Sequence, residues 1–146
     1  MTAKELYQKH KDFEFGHLWN KCVNFEELLG KTIIDIYGAE VGSDAIAIIC
    51  DDGSRYIMYH DQDCCESVDL DDICGDISCL LNTPITKAEE VVDNTMELVG
   101  VEDAGYEPDS YTWTFYHLAT IKGYVTIRWY GESNGYYSET VSIVKV

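Results

Sequence analysis

The residues from Tyr59 to Ser67 bring His, Asp, Glu and Cys side chains, the types that bind metal ions, into one short stretch. Residues 54–60 have the composition of a strand, and residues 65–70 alternate polar and apolar side chains as a second strand would. With residues 61–64 as a hairpin loop, His60 and Cys65 would face each other across the ladder. The stretch therefore predicts one structural zinc ion, with four candidate ligands: His60, Asp63, Cys64 and Cys65.

A second interpretation of the cysteine pair stays open, because adjacent cysteines also pack as small apolar side chains. The paired C-x-x-C spacing of structural zinc sites is missing, and two neighbouring cysteines do not easily point at one ion. The chain has 6 cysteines and no export signal, which is typical of a reducing compartment. We therefore expect a soluble cytoplasmic protein without disulfides.

Acidic residues dominate the charge of the chain, since 27 Asp and Glu against 10 Lys and Arg give a net charge of −17. Such a surface disfavours contact with nucleic acids and anionic membranes and favours basic grooves on other proteins, although acidity can also serve solubility alone. The carboxylates are densest between residues 51 and 76, where Arg55 is the only opposing cation. The candidate partner-binding residues are Asp61, Glu66, Asp69, Asp71, Asp72 and Asp76.

An aromatic stretch near the C-terminus provides a second candidate site. Residues 111–121 and 124–130 are typical of a long hairpin, with Lys122 and Gly123 as its loop. That register pairs His117 with Arg128 and places an arginine among rings, an arrangement that suits stacking and phosphate binding. Arg128 could equally cover core aromatics or pair with a nearby carboxylate. The candidate ligand face consists of Trp113, His117, Arg128 and Tyr130.

The element pattern predicts one α+β domain with an N-terminal helix, two antiparallel meanders and short helices. Strands at 31–37, 45–50 and 54–60 form the first meander, and Asn134-Gly135 leads from the long hairpin into a third strand of the second. The sheet order stays open. We divide the chain into an N-terminal helical extension at 1–24, the first meander with a short helix at 25–92, a loop at 93–110 and an aromatic-rich second meander at 111–146.

Motifs of common enzymes are missing from the sequence. We find no glycine-rich phosphate loop, dinucleotide fingerprint, H-E-x-x-H or G-x-S-x-G pattern. The spacing of the 4 histidines does not indicate an acid–base pair. The sequence therefore predicts a protein that is not an enzyme.

Two motifs, residues 59–68 and residues 113–116 together with 121–139, resemble a family of small acidic phage and bacterial proteins that carry a domain of unknown function. The chain is also similar to small phage anti-CRISPR proteins that inhibit type II CRISPR effector nucleases, at least one of which binds a metal. This resemblance implies a zinc site at His60, Asp63, Cys64 and Cys65.

From the residues alone we expect a stoichiometric binder of a basic protein surface. The resemblance makes that surface a basic groove of a host defence nuclease, where the protein would hinder nucleic-acid loading. The alternative is a small-ligand binder that sequesters a nucleotide-type immune signal on its aromatic face.

Overall fold

The N-terminal helix has the predicted position. The computed structural model describes residues 1–11, 16–93 and 110–146, and helix α1 spans Ala3–Lys11. Its first turn is capped by the Thr2 hydroxyl, which accepts a hydrogen bond from the Glu5 amide at 3.1 Å. Among the described residues, no helix is long and apolar enough to cross a membrane.

In the part of the chain that the structure describes, eight strands form two antiparallel four-stranded sheets, which confirms the predicted α+β class. The first sheet has the order β1-β2-β3-β8 and the second has the order β4-β7-β6-β5. The strands are β1 (Ile33–Tyr37), β2 (Ala45–Cys50), β3 (Arg55–Tyr59), β4 (Ser67–Cys74), β5 (Lys87–Asp93), β6 (Ser110–Thr120), β7 (Gly123–Ser133) and β8 (Ser142–Lys145).

The first sheet is covered on both faces. Ile46 and Met58 belong to a hydrophobic cluster that also contains Leu70, Tyr116 and Trp129 of the second sheet. The opposite face of the first sheet packs against α1 in a separate cluster. Covering on both sides explains why every residue of β2 is buried, as its continuous apolar sequence requires.

Two predicted strand pairings are wrong. β3 and β4 do not form a hairpin, because β3 pairs with β8 in the first sheet and β4 pairs with β7 in the second. His60 and Cys65 therefore do not face each other across a ladder. The strand after Asn134-Gly135 likewise leaves the second sheet, since β8 pairs with β3.

The long hairpin has a register that differs from the prediction by two positions. Gly123 pairs with Thr120, so the loop consists of Ile121 and Lys122, and His117 lies opposite Thr126. The Thr120 hydroxyl accepts a hydrogen bond from the Lys122 amide at 3.1 Å and stabilises this turn. Ile121 is 88% exposed, which shows that it belongs to the turn although its apolar side chain is typical of a strand.

Two short 3-10 helices, Gly16–Lys21 and Phe25–Leu28, lie between α1 and β1, and a third, Ile77–Leu80, lies between β4 and β5. The loop assigned to 93–110 lies outside the described residues, except that its two end residues belong to β5 and β6.

Candidate functional site

The connection between β3 and β4, residues 61–66, is called the tip loop below. It carries the chain from one sheet to the other and is organised around Glu66, whose side chain is fully buried. The Glu66 carboxylate accepts hydrogen bonds from the Asp63 amide at 3.0 Å, the Cys64 amide at 2.9 Å and the Gln62 side-chain amide at 3.0 Å. The tip loop is thus folded onto a single buried anion.

His60 connects this anion to the rest of the fold. Its Nε2 lies 2.8 Å from Glu66 Oε2, and its Nδ1 lies 2.6 Å from the carbonyl oxygen of Thr140. A carbonyl and an ionised carboxylate only accept hydrogen bonds, so both contacts form when each ring nitrogen carries a proton. His60 therefore joins β3, the tip loop and the segment before β8, and leaves neither nitrogen for a metal or a substrate.

The environment of Glu66 favours its ionised form. Burial by itself raises the pKa of this carboxyl, but hydrogen bonds from the Cys64 amide, His60 and the Asp63 amide outweigh it and lower the pKa to about 2. Glu66 was predicted to contact a partner, and its burial gives it an internal structural role instead. The sequence contains the signal, because the alternation that turns Val68 and Leu70 inward also turns Glu66 inward.

The four predicted zinc ligands do not form a metal site in this arrangement. A disulfide joins Cys64 to Cys65, contrary to the expectation that no disulfide forms, and both nitrogens of His60 are hydrogen-bonded. Within residues 1–11, 16–93 and 110–146, no group of three or more His, Cys, Asp or Glu side chains could hold a metal ion. Zinc binds cysteine as thiolate and histidine through a nitrogen with a free lone pair, so a disulfide and a His60 that is hydrogen-bonded at both nitrogens do not fit it as they stand.

A zinc ion at the tip loop stays a prediction that elemental analysis can test. Reduction would release two thiols, and the predicted ligand set also requires His60 to give up one of its two hydrogen bonds. On this prediction, protein purified with a reductant contains one zinc per chain and melts at a lower temperature with a chelator. A metal content well below one per chain, or a melting temperature that the chelator leaves unchanged, would rule out the structural zinc.

Exposed carboxylates line the edge of the second sheet beyond the tip loop. Asp69 and Asp72 project from the outer face of β4, where they lie opposite Tyr130 and Arg128. A bulge between them keeps both on that face despite their odd spacing. Asp76 follows and caps the last 3-10 helix by accepting a hydrogen bond from the Ser78 amide at 2.9 Å. We call this set the acidic strip; it consists of Asp61, Asp63, Asp69, Asp72 and Asp76, all exposed.

Asp71 is held more closely than the acidic strip, because Arg128 is hydrogen-bonded to it, whereas Asp72 of the strip lies 4.0 Å from the same guanidinium. Its Oδ2 accepts hydrogen bonds from Arg128 Nε at 2.8 Å and from Arg128 Nη2 at 2.5 Å. The same guanidinium lies 4.8 Å from the centre of the Trp113 ring. The structure thus contains the carboxylate pairing that the sequence left open for Arg128. Asp71 is not available to a partner unless this pair opens.

The four residues of the candidate ligand face share the outer surface of the second sheet. Trp113 pairs with Tyr130, and their ring centres are 4.6 Å apart. His117 is four residues further along β6 on the same face, opposite Thr126, whose hydroxyl lies 2.9 Å from its Nδ1. The face is therefore assembled as predicted, but its arginine is already bonded to Asp71.

A polar cleft of about 250 Å³ lies beside the tip loop. Burial raises the pKa of Asp69 at its rim, and the negative charge of Asp44 adds to that effect. Lys11 and Asp44, which also line the cleft, form an ion pair. The cleft is lined by Lys11, Asp44, His60, Gln62, Glu66, Ser67, Val68 and Asp69.

Comparison with known proteins places the chain in a family. Residues 26–143 match a domain of unknown function, DUF7448. The chain belongs to this family. The match covers both sheets and the tip loop, and it agrees with the domain of unknown function that the sequence motifs resemble. No curated protein and no solved structure matches the chain.

Proposed function

We propose that this member of the DUF7448 family is a non-enzymatic binding protein whose acidic strip engages a basic groove on another protein. The observation that carries the proposal is the alignment of exposed carboxylates along one sheet edge, where the neighbouring cation, Arg128, is bonded to Asp71. Asp69 and Asp72 project from one face of β4, and the other members of the strip, Asp61, Asp63 and Asp76, lie in the connections before and after that strand.

The overall charge reinforces the strip. With a net charge of −17, the chain produces a negative potential that attracts a basic partner over long distances and accelerates encounter at low salt. Surface charges are screened beyond about 8 Å at physiological ionic strength. Binding through the strip is therefore expected to weaken steeply as salt rises.

The resemblance to type II anti-CRISPR proteins supplies the class of partner. A guided nuclease holds nucleic acid in a positively charged channel, and its Lys and Arg side chains there neutralise phosphates. A protein that offers carboxylates to those side chains competes with the nucleic acid for the channel. We propose that the chain inhibits such a nuclease by hindering nucleic-acid loading in the host cytoplasm.

The contacts of His60 and His117 support a role without catalysis. Both nitrogens of His60 are engaged inside the protein, and His117 contacts Thr126 through Nδ1. A general base needs a nitrogen within reach of the substrate proton, which His60 does not offer. The aromatic face supports the nucleotide-binding alternative less well, because the guanidinium that would hold a phosphate is paired with Asp71.

Removal of charge from the strip tests the proposal. We expect Asp69→Asn with Asp72→Asn to weaken inhibition in a guided-cleavage assay by about tenfold at low salt, since two carboxylates leave the contact. The matched control is Glu26→Gln with Asp51→Asn, which removes the same charge from exposed positions outside the strip. Equal loss in both double variants would show that net charge and not the strip is responsible.

Arg128→Ala separates the two functions. The substitution releases Asp71 and adds one negative charge beside the strip, so inhibition should persist or strengthen if the acidic strip binds. If the aromatic face holds a nucleotide, the same variant should lose binding to nucleotides and the function with it. Circular dichroism and melting of each variant establish that the fold is intact.

A further inference from the structure

The disulfide between Cys64 and Cys65 lies in the exposed part of the tip loop. The other four cysteines, Cys22, Cys50, Cys74 and Cys79, are not disulfide-bonded. Cys64 and Cys65 are both solvent-exposed, so small molecules in solution can reach them. The proposed contacts of the acidic strip do not use either residue.

The loop around this pair is fixed by contacts that do not involve sulfur. Glu66 Oε1 accepts a hydrogen bond from the Cys64 amide at 2.9 Å, and the Gln62 side chain donates to the Cys64 carbonyl at 3.1 Å. None of these bonds uses a sulfur atom, so reduction of the disulfide removes neither their donors nor their acceptors. Since the residues are neighbours in the chain, their sulfurs also remain close enough to rejoin.

We propose that Cys64 and Cys65 form a reversible thiol–disulfide site that reacts with small thiols. A thiolate of the reagent attacks one sulfur, the bond between Cys64 and Cys65 breaks, and a mixed disulfide forms. A second reagent thiolate attacks that mixed disulfide and leaves as the oxidised reagent. The protein gains two electrons and two protons and keeps two thiols, and an oxidising disulfide reverses the sequence.

The charge around the pair selects the class of reagent. Asp61 and Asp63 are exposed in the same loop, and the chain as a whole is strongly acidic. Anionic thiols are therefore repelled and cationic aminothiols attracted. We expect a cationic aminothiol to reduce the pair about tenfold faster than an anionic mercaptosulfonate with the same thiol reactivity, with the ratio falling toward one as salt rises.

A thiol count on a simplified background tests this site. The intact chain carries Cys22→Ser and Cys74→Ser, which removes the two other exposed cysteines and leaves Cys50, Cys64, Cys65 and Cys79. After treatment with oxidant we expect two fewer titratable thiols in denaturant and a mass lower by two hydrogen atoms, with both restored by dithiothreitol. Further replacement of Cys64 and Cys65 by serine should abolish the change.

Three results would overturn the proposal. These are a thiol count that oxidant leaves unchanged, peptide mapping that places the new bond between other cysteines or between chains, and equal rates for cationic and anionic thiols at low salt. None of these measurements uses a partner protein, so they are independent of the proposed inhibitor function. A change in partner binding between the two redox states would be a consequence that does rest on that function, because the pair lies next to Asp63 of the acidic strip.

Discussion

Glu66→Ala is expected to lower the free energy of unfolding by about 3–5 kcal/mol, because it leaves buried donors without their acceptor. In the wild type the Glu66 carboxylate accepts hydrogen bonds from His60, the Asp63 amide, the Cys64 amide and Gln62. Loss of the anion also leaves the His60 ring facing a cavity. Denaturant unfolding of the two proteins at neutral pH measures the difference.

An exposed carboxylate supplies the control for this prediction. Glu26→Ala removes the same charge from the surface and should change the free energy of unfolding by less than about 0.5 kcal/mol. The pKa of Glu66 adds a second check. Since that pKa is lowered from 4.5 to about 2, its stabilisation is fully present above pH 4.5 and is lost as the pH falls through about 2. A Glu66→Ala protein that loses stability over this interval as the wild type does would contradict the assigned role.

Trp129→Ala is expected to cost about 3–5 kcal/mol of unfolding free energy, the usual range for removal of a large aromatic side chain from a core. Trp129 is 1% exposed and lies in the cluster between the two sheets, opposite Leu70 of β4 and Thr114 of β6. The cavity would remove packing contacts that hold the two sheets together. The measurement is again equilibrium unfolding in denaturant, with the slope checked for two-state behaviour.

The control for Trp129 comes from the same strand. Tyr124 is 49% exposed on the outer face of β7, where it lies 6.0 Å from the His117 ring. Tyr124→Ala should cost less than about 1 kcal/mol, because the position is solvated in both states. If the two substitutions cost the same, the assignment of inward and outward faces to β7 would be wrong.

Local turn chemistry made much of the fold predictable. Asp52-Gly53 predicts the hairpin between β2 and β3, and the structure has it, with Gly53 at a φ of 86° and the Asp52 carboxylate accepting from the Ser54 amide. The long hairpin was predicted with a register two positions away from the observed one. A shift of two keeps every side chain on its face, so the grouping of Trp113, His117, Arg128 and Tyr130 survived the error.

Sheet membership could not be predicted, because it depends on residues far apart in the chain. Asn134-Gly135 does form a local turn, in which Asn134 Oδ1 accepts from the Tyr136 amide, yet the strand that follows pairs with β3. The partner of β8 is decided by burial of Ile143 and Val144 on the two faces of the first sheet, which no local pattern encodes. The tip loop was misread for the same reason, since its flanking strands belong to different sheets.

The candidate site, like the fold, could be predicted from the sequence only in part. The density of carboxylates between residues 51 and 76 is visible in the sequence, and Asp61, Asp69, Asp72 and Asp76 are exposed. Composition does not distinguish these from Glu66, which is buried with His60, or from Asp71, which pairs with Arg128. The pairing of Asp71 depends on its cross-strand neighbour, and the burial of Glu66 depends on its position in the alternation that turns Val68 and Leu70 inward.

Inhibition of a purified type II CRISPR effector nuclease in a guided-cleavage assay at rising salt tests the central claim most directly. If the acidic strip occupies the basic channel, the protein should block cleavage when it is added before the nucleic acid at low salt, and its apparent affinity should fall steeply as salt increases. A pull-down under the same conditions should recover the nuclease. Absence of binding and of inhibition at low salt would contradict the proposed function.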